Sequence, residues 1–93
     1  MSYQITLVCT GVPSYVGPEL ATDIAEEFTH RPWHQNVSCK WDGTLLILQA
    51  QNDWDADAKA LTDEFSDAIS ANANVFAGGI EVRSIIALPA NSN

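Results

Sequence analysis

The chain is expected to fold as an α+β sandwich of the ferredoxin-like type, β-α-β-β-α-β. One four-stranded antiparallel sheet, order 4-1-3-2, would carry two helices on one face. Three observations predict it. Four short segments alternate or run apolar with the period of strands, two longer segments repeat apolar residues with the period of helices, and one Asp-Gly pair marks a hairpin between the middle strands.

Residues 3–10 (YQITLVCT) form the first strand, with Tyr3, Ile5, Leu7 and Cys9 on one face and Gln4, Thr6, Val8 and Thr10 on the other. Gly11 to Gly17 is a loop, and Pro18 suits the first position of a helix over 18–30. Leu20, Ala21, Ile24, Ala25 and Phe28 give that helix its apolar stripe. His30 and Arg31 complement its negative end, and Pro32 stops it.

Asn36 to Trp41 alternate again, Asp42-Gly43 is the two-residue turn, and residues 44–50 (TLLILQA) return. That turn pairs Trp41 with Thr44, Cys39 with Leu46 and Val37 with Leu48. The return strand is apolar on both faces, which marks it as central.

Trp54, Ala58, Leu61, Phe65, Ala68 and Ile69 form the second helical stripe, so a core-facing helix is expected from about Asn52 or Asp53, ended by Asn72 to Asn74. After Gly78-Gly79, Ile80 to Leu88 is the last strand. Ile80, Val82, Ser84, Ile86 and Leu88 should share one face, with Glu81, Arg83 and Ile85 on the other. Residues 89–93 read as a flexible tail of a single domain spanning 1–93.

Twelve acids against four bases give a net charge of −8. Such a surface repels phosphate backbones and anionic lipid, so nucleic-acid and membrane partners are not expected. The longest apolar run, Leu45 to Leu48, is far too short to span a bilayer, and the N-terminus lacks the pattern of a signal peptide. The expected location is the cytoplasm. There Cys9 and Cys39 should be free, buried thiols, separated by an intervening strand at about 9.6 Å, beyond the reach of a disulfide.

The segment NDWDADAKALTDEF spaces Asp53, Asp55, Asp57 and Glu64 as in an EF-hand calcium loop, but Ala58 stands where that loop needs Gly. If Trp54, Ala58, Leu61 and Phe65 all face the core, the segment is helical and its carboxylates cannot converge. The expectation is therefore a helix start supported by Asp55 and Asp57, with no metal. His30 and His34 have the spacing of helical metal ligands, but Pro32 lies between them. No nucleophile–base arrangement or phosphate-binding glycine loop is present in the sequence, so neither catalysis nor a cofactor is expected.

Two surfaces point to binding. The open sheet face should gather Val8, Leu45, Ile47 and Ile85, ringed by polar residues including Lys40, Gln49 and Arg83, as a face for a second copy or another protein. The helix layer should carry ten of the twelve acids, among them Glu19, Asp23, Glu26, Glu27, Asp63 and Asp67. That layer suits an inhibitor- or immunity-type role against a basic partner. The layout is also similar to ACT-type regulatory domains, a resemblance that implies a small-ligand site in the Thr10–Gly17 loop. Pro13-Ser14 and Gly17-Pro18 match that family's Asp-x-Pro-Gly turn only loosely. The main expectation is a non-catalytic binding or regulatory module.

Overall fold

The computed structural model describes residues 2–72 and 78–89. Residues 73 and 74 of the expected helix stop, and 90–93 of the expected tail, lie outside the described residues. The elements follow the order β1 (Ser2–Cys9), α1 (Gly17–Phe28), β2 (Gln35–Trp41), β3 (Leu46–Asn52), α2 (Lys59–Asn72) and β4 (Ile80–Leu88). The strands form one antiparallel sheet in the order β2-β3-β1-β4. This is the ferredoxin-like arrangement with β2 and β4 at its edges.

Alternation in the two central strands creates the core. Ile5, Leu7 and Cys9 from β1 and Leu46, Leu48 and Ala50 from β3 are completely buried, against Leu20, Ile24 and Phe28 of α1 and Leu61, Phe65, Ala68 and Ile69 of α2. Fully burying one such large apolar side chain contributes about 1.5–3 kcal/mol. Val37, Cys39 and Trp41 of β2 pack at the margin of this cluster, on the face their alternation predicts.

α1 begins at Gly17, a position where no side chain can stand. A Cβ on Gly17 would lie 2.2 Å from Cδ2 of Trp41, so the bare backbone accepts the indole. Pro18 opens the first turn, and the helix closes two residues before the expected His30, with Thr29 at its C-cap.

Three expectations require correction. The hairpin pairs Trp41 with Leu46, Cys39 with Leu48 and Ser38 with Gln49. Its two-residue loop is Gly43-Thr44, not Asp42-Gly43. The cause is the Asp42 side chain, whose Oδ1 accepts hydrogen bonds from the backbone N–H groups of Thr44 (2.8 Å) and Leu45 (2.6 Å). From Ser38 to Trp41 every partner shifts by two residues, so each of these side chains keeps its face, and the register slips once more between Gln35 and Ser38.

The second correction concerns β4. Thr6 pairs with Ser84 but Leu7 pairs with Val82, leaving Arg83 as an extra residue in a bulge. The bulge reverses the facing of the strand. Ile85 lies opposite Ile5, on the helix side, while Ile86 and Leu88 pair with Gln4 and Ser2 on the open side.

The third is the start of α2, which begins at Lys59, about six residues later than the stripe suggests. Residues 53–58 are a loop, and Trp54 is 49% exposed instead of facing the core. Asn52 Oδ1 accepts from the N–H groups of Trp54 (3.1 Å) and Asp55 (2.8 Å), turning the chain away from a helix. Asp55, itself buried, caps α2 from a distance: Oδ1 accepts from Ala60 N (3.0 Å) and Oδ2 from Leu61 N (2.9 Å).

Candidate functional site

The open sheet face is built by the outward residues of the central strands. Val8 pairs with Ile47 across one ladder and with Glu81 across the other, and it is only 6% exposed although no helix lies over it. Its neighbours do the shielding. Leu45, Ile47 and Gln49 are half-buried, Lys40 is exposed opposite Ile47, and Gln49 Nε2 donates to Thr6 Oγ1 at 3.1 Å.

The structure brings Val8, Ile47, Lys40 and Gln49 together on this face. It removes Ile85 from it, through the bulge, and supplies Ile86 instead. Arg83 is the bulge residue itself. Val82 and Ile85, on the helix side, remain 45% and 37% exposed because α2 makes little contact with β4. Ile86, on the open side, is 50% exposed, so this edge strand shows apolar side chains on both faces.

The expected acidic face divides. Glu19, Asp23, Glu26 and Glu27 stand on α1, and Asp63, Glu64 and Asp67 on α2, but Asp53, Asp55 and Asp57 belong to the preceding loop. Asp23, Glu26, Glu27 and His30 line a shallow depression of about 190 Å³ with Asn72, whose Nδ2 donates to Glu27 Oε2 at 3.3 Å.

The most developed polar arrangement lies at the end of the sheet where β2 begins and β3 ends. His34, whose side chain is fully buried, is its centre. Asn52 Oδ1 is already committed to two backbone N–H groups, so its Nδ2 is the atom that faces His34 Nδ1 at 3.2 Å. Nδ1 therefore accepts, and the ring proton sits on Nε2, which donates to Glu64 Oε2 at 3.2 Å.

Glu64 receives two further donors, Arg31 Nη1 at 3.3 Å to Oε1 and Trp33 Nε1 at 3.2 Å to the same oxygen. Trp54 stacks on His34, with ring centroids 5.7 Å apart and planes 28° from parallel. Phe28 and Trp33 tilt against the imidazole at 5.9 and 6.2 Å. Arg31 lies over the Phe28 ring, and its buried Nε has no partner among the described residues.

This network assigns the carboxylates of the calcium-like spacing to other work. Glu64 binds the His34 cluster, Asp55 caps α2, and Asp57 Oδ1 accepts from Lys59 N at 3.1 Å. Ala58 does adopt the positive φ (62°) that the EF-hand position demands, so the loop geometry is closer to that motif than the sequence argument allowed. Among the described residues no group of three or more His, Cys, Asp or Glu is placed to hold a metal ion. His30 is exposed and His34 buried, so their spacing does not make a pair of ligands.

The Thr10–Gly17 loop is closed at its first residue. Thr10 N donates to Gly79 O at 3.0 Å, and a Cβ on Gly78 would lie 1.8 Å from Thr10 O, so the glycine turn occupies the adjoining space. Cys9 and Cys39 are free thiols on either side of β3. Burial pushes Cys9 up to about 11; burial, and secondarily the nearby Cys9, pushes Cys39 up to about 12. Cys39 is half-buried instead of buried, because β2 is an edge strand.

The sequence argument missed the His34 cluster because its members come from three separate segments. The available signal was the density of Trp, His and Arg in Arg31–His34, beside a second Trp at 54. Comparison with protein-family models, with curated proteins and with solved structures returned no match.

Proposed function

We propose that the chain is a small non-catalytic binding module that self-associates through the open sheet face and the adjoining rim of β4. The observation that carries this reading is the concentration of exposed apolar side chains on one edge strand. Of the six exposed large apolar residues among those described, Val82, Ile85 and Ile86 all belong to β4. Scattered singly such residues need no explanation, but Ile86 lies with Val8, Leu45 and Ile47 on the open face, and Val82 and Ile85 extend the apolar rim around the other side of the same edge strand, a border that gains by being covered.

Charge favours the same side. Of the described sheet residues, only Lys40, Glu81 and Arg83 bear formal charge, whereas α1 and α2 carry seven acids. Two copies at −8 each would meet with least repulsion sheet to sheet. A non-catalytic role is supported by the groups that could do chemistry: both nitrogens of His34 are engaged, and both thiols are held protonated well above neutrality. A cytoplasmic setting, where free thiols persist, belongs to this reading.

Light scattering during gel filtration, at low and high salt, tests it. A dimer that survives high salt and dissociates with Ile47→Asp or Ile86→Asp is the expected result. A monomer under all conditions, with both variants unchanged, would overturn self-association.

A further inference from the structure

The two half-exposed tryptophans of the His34 cluster have no part in the sheet-face reading. Trp33 is 47% and Trp54 49% exposed. An exposed indole is ordinarily a mobile one, but these two are anchored. Trp33 is held through its N–H, which reaches both Glu64 oxygens at 3.2 and 3.4 Å. Trp54 lies flat on the buried His34 ring, and its backbone N–H is tied to Asn52. Ring faces fixed before contact bind without losing rotamer freedom at the moment of binding, which is what distinguishes an interface anchor from an incidental surface side chain.

The surroundings state what such faces would accept. Asp53 precedes Trp54 directly, and Asp57 and Asp63 are exposed on the same loop and on the first turns of α2. From residue 53 to 67 the chain carries six acids and one base, Lys59. Arg31, the one cation inside the cluster, is already paired with Glu64. An indole face attracts cations through its quadrupole, and nearby carboxylates add to that attraction. A neutral ring would gain from the indoles and nothing from the acids, while an anion or a second copy of this acidic surface would be repelled.

We propose that Trp33 and Trp54, with Asp53, Asp57 and Asp63 around them, form a docking surface for a cationic protein segment bearing lysine or arginine. The bound cation lies over an indole face while its chain runs along the acidic start of α2. This inference stands independently of the sheet-face reading, because it uses different residues.

Isothermal titration with three probes tests it: a lysine- and arginine-rich decapeptide, its glutamate-for-cation counterpart, and a neutral oligosaccharide. The expected result is saturable binding of the cationic peptide alone, weakened about three- to tenfold by Trp54→Ala, the scale of one cation–π contact. Asp53→Asn with Asp63→Asn should weaken binding and flatten its salt dependence. Trp33→Phe, which keeps a ring but loses the N–H anchor, gives a second variant whose folding circular dichroism verifies. Ile47→Asp should leave the affinity unchanged, so a failure here is distinct from a failure of the sheet-face reading. Saccharide binding, absence of peptide binding, or binding insensitive to the Trp and Asp variants but lost with Glu19→Gln and Asp23→Asn would each overturn the proposal.

Discussion

His34 Nε2 donates to Glu64 Oε2 at 3.2 Å, joining the linker after α1 to the first turns of α2. The imidazole is fully buried and the carboxylate largely so. Because Asn52 fixes the other ring nitrogen as an acceptor, the histidine bridges β3 and α2 in a single tautomer.

Glu64→Ala is expected to destabilise the fold by about 1–3 kcal/mol, since it leaves the N–H donors of Arg31, Trp33 and His34 facing a void. Glu64→Gln should cost less, because its remaining carbonyl still accepts. Urea denaturation of the two variants measures the difference, and equal losses would show that the network contributes little.

Ala58 is completely buried at φ 62°. Relief of left-handed strain by Ala58→Gly is worth about 1–2 kcal/mol, against a lost methyl of about 0.8 kcal/mol and added chain entropy of about 0.5–1 kcal/mol. The expected change is therefore within about 1 kcal/mol of zero. Ala58→Val, β-branched and overpacked at the same φ, should lose more than about 2 kcal/mol. Thermal unfolding ranks the two, and a well-tolerated valine would contradict the loop geometry.

Much of the fold was legible because period-two and period-3.6 patterns survive in residues whose only task is packing. Ile5, Leu7, Leu46, Leu48, Leu61 and Phe65 all occupy the core positions that their spacing implies. Where the reading failed, a local hydrogen bond or an inserted residue had overridden the pattern. Trp54 fits a helical stripe with Ala58 and Leu61, yet Asn52 and Asp55 capture the intervening backbone N–H groups and hold the segment as a loop. Ile85 fits an alternating strand, yet the extra residue Arg83 turns it to the other face. Nothing in hydrophobic periodicity reports either event. The acids of α1 were placed correctly, whereas the His34 cluster depends on contacts more than 15 residues apart in sequence, outside the reach of any spacing rule.

Gly17→Ala should displace the Trp41 indole, whose Cδ2 would lie 2.2 Å from the new methyl. A loss of about 1–3 kcal/mol, typical of overpacking, is expected, together with a changed near-ultraviolet spectrum. Trp41→Leu in the Gly17→Ala background should recover part of it; no recovery would place the strain elsewhere.

Cys9 and Cys39 should react slowly with a thiol reagent at pH 8 and rapidly once denaturant is added, since burial holds them protonated up to about 11 and about 12. In the unfolded chain both ionise near 9.0. The native state therefore keeps protons that the unfolded state releases. Their contribution to stability is complete below pH 9 and is lost as pH rises towards 11–12. Replacing both cysteines with alanine should flatten that alkaline decline, which urea melts from pH 8 to 11 would register.

The Asp42 turn bears on how the sheet finds its alignment. A displacement of two residues between β2 and β3 leaves every side chain on its proper face, so burial alone distinguishes the two alignments poorly. What selects between them is one carboxylate holding the N–H groups of Thr44 and Leu45. Asp42 thus acts as an index mark for the hairpin. Without it, the two ladders become near-degenerate solutions to the same packing problem, and the chain would have to search between them before Trp41 could settle against Gly17.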